Sequence, residues 1–324
     1  MKQVLVTLPV PPEKRLLLEA QLPGAQYTYT TFAEVTDEQI AAANIVLGKL
    51  PPARAHKAEQ LEWLQLSISG ADAFLKPGVL PEGVRLTNAT GAFGLAVSEQ
   101  LLGYTFFLKK KFGLYHRNQL RAEWKDEGMA TAIAGSTTLV VGFGSIGGDY
   151  AAKMTALGSR VYGIRRHKTA CPGWLAGLDT LDRLDDWLPQ ADIVALCLPG
   201  TPETAGLFGA ERLARMKAGS ILLNGGRGSS VHAGALAEAL RSGPLAGAAL
   251  DVTDPEPLPA GHPLWKCENL LLTPHVAGNF HLQQTTDEVI ALFIENLGRY
   301  ARGEALKNPV DPATGYRAFS KETL

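Results

Sequence analysis

One segment near the middle of the chain constrains the fold more than any other. Residues 138–152 read TLVVGFGSIGGDYAA, which is an apolar run, a G-x-G-x-x-G turn and then a helical pattern. Gly142 permits the tight turn, Gly144 lets the backbone approach a pyrophosphate, and Gly147 lets the helix pack closely on the strand. The helix N-terminus then presents amide groups to the phosphates. A merely structural turn is the alternative, but the strand and helix around the glycines favour dinucleotide binding. The predicted cofactor-binding residues of this loop are Gly142, Gly144, Ser145, Ile146 and Gly147.

The end of the next predicted strand indicates which dinucleotide is bound. An NAD-specific site would place an Asp or Glu there, against the ribose 2′-hydroxyl. The chain instead carries Arg165, Arg166, His167 and Lys168 after the strand at residues 161–165. A carboxylate would repel a 2′-phosphate, whereas a guanidinium can bind it through two hydrogen bonds. A solvated basic turn without a ligand is the alternative. The position after the glycine loop favours NADP over NAD, with Arg165 and Arg166 as ligands.

Length and charge limit the other possibilities. With 324 residues, 46% of them hydrophobic, the chain exceeds what one core normally holds, so two domains are expected. Its 31 Lys+Arg against 32 Asp+Glu create no global field that would recruit nucleic acid or an anionic membrane. Three distant cysteines predict neither a metal site nor a disulfide framework. With no signal-peptide pattern or membrane-span pattern, the expected location is the cytoplasm, and the expected partners are small molecules or further copies of the chain.

Apolar runs alternate with helical segments along two stretches of the chain, as in parallel α/β sheets. Up to about residue 90, predicted strands cover residues 4–6, 44–47, 64–66 and 84–86, and predicted helices cover residues 13–21 and 37–43. From residue 137, predicted strands cover residues 138–142, 160–164, 192–198, 220–223, 246–250 and 270–272, with helices at residues 146–157, 181–188, 210–216 and 233–242. A single helical pattern at residues 94–117 connects the two stretches, and a last helix at about residues 281–302 leads back to the first.

Three candidate chemical residues follow directly after predicted strands: Arg227, Glu256 and His275. Ligands of an open parallel sheet bind beyond the carboxyl ends of its strands, so these side chains are expected to converge. A hydride that reaches a carbonyl carbon builds negative charge on the oxygen, and an imidazolium neutralises that charge by donating a proton. A neighbouring carboxylate favours and orients the imidazolium. An isolated histidine in such a loop is more often a surface or capping residue, so the prediction depends on the combination.

Several motifs around these residues resemble those of one enzyme family. The segments LPGTPET (198–204), NGGRGSSV (224–231), ALDVTDPEPLP (249–259) and LTPHVAG (272–278) follow the glycine loop in the order found in D-isomer-specific 2-hydroxyacid dehydrogenases. The resemblance spans essentially the whole chain. It implies two doubly wound parallel-sheet domains, with a Rossmann cofactor domain inserted in a flavodoxin-like substrate domain. The implied boundaries are 1–97 plus 289–324 for the substrate domain and 98–288 for the dinucleotide-binding domain.

The same resemblance implies roles for individual residues. Arg227 holds the substrate carboxylate and polarises the carbonyl, His275 exchanges the proton with the C2 oxygen, and Glu256 bonds His275. Asp251 is implied as the partner of the nicotinamide carboxamide. The implied substrate loop contains Ser69, Gly70 and Ala71, whose backbone N–H groups would receive the carboxylate. The remaining implied cofactor-binding residues are Leu198, Pro199, Thr204, Gly225, His275 and Gly278.

The expected activity is therefore NADP-dependent reduction of a small 2-keto acid, in the manner of a glyoxylate or hydroxypyruvate reductase. The identity of the acid is left open, and a homodimer is implied by the resemblance. One alternative is a nucleotide-sensing interaction protein, since the family includes corepressors that retain the Arg, Glu and His residues. A methyltransferase that uses only the glycine loop is a second alternative, but it leaves Arg227, Glu256 and His275 without a joint role.

Overall fold

A computed structural model describes residues 1–312 of the chain. The strands are β1 (Gln3–Val6), β2 (Gln26–Tyr29), β3 (Ile45–Gly48), β4 (Trp63–Leu66), β5 (Arg85–Thr87), β6 (Thr137–Val141), β7 (Arg160–Arg165), β8 (Gly177–Thr180), β9 (Ile193–Leu196), β10 (Ile221–Asn224), β11 (Gly247–Leu250) and β12 (Leu270–Leu272). The α-helices are α1 (Pro12–Glu19), α2 (Asp37–Ala42), α3 (Gly94–Lys109), α4 (Phe112–Leu120), α5 (Ser145–Ala156), α6 (Leu184–Trp187), α7 (Ala210–Arg215), α8 (Ala233–Ser242) and α9 (Gln283–Ala301).

The chain forms two compact units. One contains Met1–Phe93 together with the described residues from Leu282, and the other is Gly94–His281. The divisions therefore fall at the start of α3 and just before α9, whereas the resemblance implied divisions after residues 97 and 288. The difference arises because each helix belongs to a single unit from its first turn, and the implied divisions cut into both helices.

The first unit is built on a five-stranded sheet with the order β2-β1-β3-β4-β5, and all of its strand pairs are parallel. This is the flavodoxin-like order that the resemblance implied. The buried side chains of Leu5, Val46 and Leu64 from three strands pack with Ile40 of α2. Helix α9 packs on α1, and an ion pair between Lys14 and Asp287 joins the two helices.

The second unit contains a seven-stranded sheet with the order β12-β11-β10-β9-β6-β7-β8, in which every neighbouring pair is parallel. In chain order, β7 and β8 are added on one side of β6, and β9, β10, β11 and β12 are added on its other side, as in a Rossmann fold. The register aligns the ends of five strands at one level, through Val141, Leu196, Asn224, Leu250 and Leu272. The loops that follow these residues therefore leave the same edge of the sheet.

Two strands, β2 and β8, were not predicted from the sequence. Both lie at the edge of their sheet, and their side chains are mostly half-buried. Their sequences, QYTY and GLDT, mix polar and apolar residues, so they lack the apolar run that marks the buried central strands.

The single helix predicted at residues 94–117 is wrong, because the chain forms α3 and α4 with a break between them. The break occurs at Lys111, whose φ of 57° is left-handed. The second helix then folds back closely on the first, since a Cβ atom at Gly113 would lie 2.7 Å from the Phe107 ring. Among the described residues, none of the helices has the length and apolar composition needed to cross a membrane.

Candidate active site

The glycine loop connects β6 to α5 at the carboxyl edge of the seven-stranded sheet. Gly142 has a φ of +100°, and a Cβ atom there would lie 2.5 Å from the carbonyl oxygen of Cys197. A Cβ atom at Gly147 would lie 2.2 Å from the carbonyl oxygen of Gly142. These two glycines therefore have the roles that the sequence predicted for them, a turn and a close helix-to-strand contact.

Gly144 differs from its two neighbours in the motif. A Cβ atom at Gly144 would have no protein atom within 4 Å, so the residue is not needed for packing within the described chain. It is the N-cap of α5, and it supplies no side chain to the first amides of that helix. An open approach in front of uncapped helix amides fits the pyrophosphate of a dinucleotide. The residues present are consequently those that a nicotinamide dinucleotide would need.

The basic residues predicted to select NADP follow β7. Arg165 is the last residue of the strand, and its guanidinium donates a hydrogen bond of 2.6 Å to Oγ1 of Thr169. Arg166 is exposed, and its Nη2 lies 3.9 Å from Oε1 of Glu203, in the loop after β9. Arg166 lowers the pKa of the Glu203 carboxyl, after the larger effects of hydrogen bonds from Thr201 and from the Glu203 backbone. Both arginines therefore lie at the carboxyl end of the sheet.

The loop after β9 contains the predicted cofactor residues Leu198, Pro199 and Thr204. Leu198 is buried, and a Cβ atom at Gly226 would lie 2.6 Å from its carbonyl oxygen, so this loop contacts the loop after β10. The Thr204 hydroxyl donates a hydrogen bond of 2.6 Å to the Pro199 carbonyl. Thr204 thus shapes the loop, and a contact of these residues with the cofactor stays a prediction.

Arg227 lies in the loop after β10, and Asn224 determines the shape of that loop. The fully buried Asn224 donates from Nδ2 to the Arg227 carbonyl, at 3.0 Å, and its Oδ1 accepts from the Gly226 amide, also at 3.0 Å. The Ser230 hydroxyl adds a hydrogen bond of 2.7 Å to the same Arg227 carbonyl. A Cβ atom at Gly228 would lie 2.0 Å from the Thr253 carbonyl oxygen, so the loops after β10 and β11 touch.

The predicted pairing of Glu256 with His275 is present. Nδ1 of His275 lies 2.6 Å from Oε1 of Glu256, and both side chains are a little less than half exposed. The second ring nitrogen, Nε2, is the one not used in this pair. His275 itself has a φ of 53°, a left-handed conformation that is uncommon outside glycine. The structure therefore brings two of the three predicted catalytic residues into direct contact.

Asp251 is nearly completely buried, and its hydrogen bonds lead to the loop that carries His275. Its Oδ1 accepts from the amide of Val276 at 3.0 Å, and its Oδ2 accepts from the amide of Ala277 at 2.9 Å. Its backbone carbonyl accepts from the amide of His275 at 2.8 Å. Gly278 follows in the same turn, and Gly225 lies close to α3, since a Cβ atom there would be 3.1 Å from Val97. The contact of Asp251 with a carboxamide stays a prediction.

Several supporting residues were missed by the sequence analysis. Asn224 appeared there only as the first letter of a motif, and Tyr104 and Thr273 were given no role. Asn224 acts within its own loop. Tyr104 and Thr273 meet through a contact between residues far apart in the chain, for which a single sequence carries little signal. Cys197 also lies next to the glycine loop, but burial raises the pKa of its thiol to about 12, so it is not a thiolate nucleophile at neutral pH.

In the first unit, the predicted substrate loop follows β4. The Asn88 side chain donates a hydrogen bond of 2.7 Å to the Ser69 carbonyl and so holds the loop in place. Within residues 1–312, the amide groups of Ser69, Gly70 and Ala71 donate no hydrogen bond. Amides in this state are suited to binding an anion. Their role toward a substrate stays a prediction.

Comparison with known proteins agrees with this architecture. A family model described as "D-isomer specific 2-hydroxyacid dehydrogenase, NAD binding domain" matches residues 102–277. A glycerate dehydrogenase of Methylorubrum extorquens is 31% identical over 264 residues, which cover 78% of this chain and 81% of the relative.

Two solved structures extend the likeness to the whole fold. A D-isomer specific 2-hydroxyacid dehydrogenase family protein of Aeromonas salmonicida has a TM-score of 0.84 and 33% identity, and the match covers 96% of this chain and 99% of that one. An NADPH-dependent glyoxylate/hydroxypyruvate reductase of Sinorhizobium meliloti, solved with NADP and sulfate, has a TM-score of 0.80 and 27% identity, covering 98% and 100%. None of these findings supports the alternative of a nucleotide-sensing interaction protein.

Proposed function

The chain belongs to the D-isomer-specific 2-hydroxyacid dehydrogenase family and to its class of oxidoreductases, and from this premise we propose that it reduces a small 2-keto acid with NADPH. The observation that carries the proposal is the contact of 2.6 Å between Nδ1 of His275 and Oε1 of Glu256, at the carboxyl edge of a dinucleotide-binding sheet. The same residues act in reverse when a 2-hydroxy acid is oxidised.

The contact determines which nitrogen of His275 reacts. Glu256 accepts the proton on Nδ1, so the ring is held in one orientation and Nε2 is the atom left to exchange a proton with the substrate. During reduction, Nε2–H donates its proton to the C2 oxygen, and Glu256 stabilises the ring in its protonated form before the transfer. During oxidation, neutral Nε2 accepts the hydroxyl proton.

Arg227 has a different task in the proposal. Its guanidinium carries a permanent charge and a planar set of donors, which suits a carboxylate and the partial charge that develops on the adjacent carbonyl oxygen. Its backbone is fixed by Asn224 and Ser230, so the side chain leaves a rigid loop. Rigid support matters because orientation of the substrate accounts for much of the rate acceleration in a reaction of this kind.

The residues of the glycine loop would hold the cofactor. When bound, the nicotinamide supplies a hydride to C2 of the keto acid. The α5 amides after Gly144 would hold the pyrophosphate, and Arg165 and Arg166 would bind the 2′-phosphate of NADP. Two observations support the choice of NADP, namely the absence of an acidic residue at the end of β7 and the NADP bound to the similar reductase of Sinorhizobium meliloti.

The proposed substrate class rests on the charge and the hydrogen-bond donors of the protein groups assigned to bind the substrate. Arg227 is suited to a carboxylate, and so are the amides of Ser69, Gly70 and Ala71, which donate no hydrogen bond to any of residues 1–312. Glyoxylate and hydroxypyruvate are small 2-keto acids that carry such a carboxylate. The cytoplasmic location expected from the sequence stays a prediction.

A homodimer is also part of the proposal. In the Gly94–His281 unit, three large apolar side chains of one exposed segment support it: Leu120, Trp124 and Met129. Aromatic and methionine side chains are enriched at protein interfaces relative to the rest of a protein surface. Light scattering should give twice the chain mass of 34.6 kDa, and a mass equal to that of one chain would contradict this part of the proposal.

A substrate screen tests the proposed activity. The purified protein is mixed with glyoxylate, hydroxypyruvate, pyruvate or a bulkier 2-keto acid, each with NADPH and separately with NADH, and loss of absorbance of the reduced cofactor is followed. We expect turnover with at least one small keto acid and a higher kcat/KM with NADPH. Failure to oxidise either cofactor with any keto acid would contradict the proposal, and a preference for NADH would contradict only the cofactor assignment.

A further inference from the structure

A partly buried chain of hydrogen bonds links helix α3 to the loop that carries His275. Nε2 of Gln100 donates to the Tyr104 hydroxyl at 3.0 Å, and the Tyr104 hydroxyl contacts Oγ1 of Thr273. The Thr273 hydroxyl lies 2.5 Å from Oδ1 of Asp251. The chain ends on the carboxylate that accepts from the amides of the two residues after His275.

The direction of these hydrogen bonds follows from the chemistry of the groups. An ionised carboxylate only accepts, so Thr273 donates its one hydroxyl proton to Asp251. Tyr104 must then be the donor to Thr273, and its own oxygen accepts from Gln100. Burial raises the pKa of Tyr104 to about 12, so its hydroxyl proton is present at neutral pH. The hydroxyl groups of Tyr104 and Thr273 therefore each donate one hydrogen bond and accept another.

The loop at the end of this chain is in a conformation that needs support. His275 has a φ of 53°, a left-handed conformation that is disfavoured for a residue with a Cβ atom. The amides of His275, Val276 and Ala277 all donate to Asp251, the first to its carbonyl and the other two to its carboxylate. The position of Asp251 thus fixes the turn from which the His275 side chain projects.

We propose that Tyr104 and Thr273 are positioning residues for His275, acting through Asp251 to hold the left-handed turn from which the imidazole reaches Glu256 and the substrate. Tyr104 lies 147 residues before Asp251, and its hydroxyl, which also lies 3.4 Å from Oδ1 of Asp251, is its contribution to this network. The proposal rests on the proposed function for its effect on catalysis, but its structural part is independent of the substrate.

Removal of the hydroxyl groups one at a time tests the proposal. In Tyr104→Phe the ring that fills the core remains, and in Thr273→Val the shape of the side chain is kept. We expect kcat to fall by about tenfold or more in both variants, since a small misplacement of a catalytic group costs this much, while KM and the Kd for NADPH change little. Thr273→Ser keeps the hydroxyl and should restore most of kcat.

Tyr150→Phe is the matched control. Tyr150 is also fully buried, and its hydroxyl contacts Thr105 of the same helix α3 at 2.7 Å, away from the His275 loop. We expect this variant to lose some stability and to keep the wild-type kcat. Equal kcat values for folded Tyr104→Phe and Tyr150→Phe would overturn the catalytic part of the proposal.

Amide hydrogen exchange gives a readout that does not require any activity. In the wild type, the amides of Val276 and Ala277 should be protected, and Tyr104→Phe should reduce their protection by about tenfold relative to Tyr150→Phe. Unchanged protection in Tyr104→Phe would overturn the proposal. A wild type that shows the expected protection pattern but oxidises no NADPH would contradict the proposed function and leave the role of Tyr104 in holding the turn supported.

Discussion

At the scale of single residues, the chemistry of this protein depends on charged groups whose partners are fixed by short loops. His275 is held by Glu256 through one ring nitrogen, and Arg227 extends from a loop fixed by Asn224. Arg165 is different, because it extends from the last position of a strand and its side chain donates to Thr169, its one hydrogen-bond partner within residues 1–312. It is thus well placed to exchange that contact for a phosphate group.

Substitution of Arg165 tests the cofactor assignment. We expect Arg165→Asp to lower the ratio of kcat/KM for NADPH to that for NADH by about tenfold or more, since a bidentate charged contact is replaced by a repulsion. The measurement is steady-state kinetics with both reduced cofactors. Arg160→Asp, with the same charge change at the opposite end of β7, should leave the ratio unchanged. A shift of equal size in both variants would show that Arg165 has no specific contact with the phosphate.

At the scale of elements, different glycines of the loop between β6 and α5 serve cofactor binding and folding. The Cβ position of Gly144 is open, whereas that of Gly147 is occupied by the backbone of Gly142. Gly144→Ala should therefore fold with near wild-type stability and bind NADPH at least tenfold more weakly, because the methyl group takes the space of the pyrophosphate. Gly147→Ala should lower the free energy of unfolding by about 1–3 kcal/mol through steric strain.

Two measurements separate these outcomes, urea unfolding for stability and fluorescence titration for the Kd of NADPH. Gly148→Ala is the control, since its Cβ position is also open and it lies within α5. It should stabilise the protein slightly, by about 0.5–1 kcal/mol, and leave the Kd unchanged. Wild-type affinity for NADPH in Gly144→Ala would argue against a pyrophosphate at this loop.

A charged contact between α6 and α7 predicts how stability depends on pH. Nε and Nη2 of Arg212 donate to the two carboxylate oxygens of Asp185, at 2.8 and 3.1 Å. The Arg212 hydrogen bonds hold the pKa of Asp185 below its ordinary value of 3.8, so the contact stabilises the fold above that value and is lost as the pH falls through the folded-state pKa.

Asp185→Asn should consequently lower the free energy of unfolding by about 1 kcal/mol at pH 7, a modest value because both side chains are partly exposed. The difference from the wild type should shrink as the pH drops below 3.8. Urea unfolding across this range checks both statements. A difference that is the same at low and neutral pH would show that the carboxylate charge is not what stabilises the contact.

At the scale of the whole molecule, the sequence predicted those parts of the fold that repeat a strong local pattern. The apolar strand and glycine turn around Gly142 predicted β6 and α5, and the other central strands followed from their apolar runs. The edge strand β8 was missed because it is half-buried and polar, and the break at Lys111 was missed because the contact between Gly113 and Phe107 is tertiary. The pattern of apolar residues along a segment indicates which residues of that helix or strand are buried. It does not indicate which other helices or strands they contact.

The same limit applies to the active site. Glu256 and His275 were paired by resemblance to a family, and the structure shows their contact. Tyr104 was beyond prediction, since it looks like any other apolar position of α3 and its hydroxyl meets a loop formed far along the chain. Prediction from one sequence is thus strongest for residues inside a motif and weakest for residues that support the motif from another element.

In the proposed function, His275 is oriented by Glu256 and transfers the proton. The glycine loop holds the cofactor without help from the His275 side chain. The most direct test is the kcat of His275→Ala, measured with NADPH and the best keto acid, together with its Kd for NADPH. His116→Ala, at an exposed position of α4, is the control. We expect kcat of His275→Ala to fall by about 100-fold or more while its Kd for NADPH stays nearly unchanged. Wild-type turnover by His275→Ala would contradict this expectation.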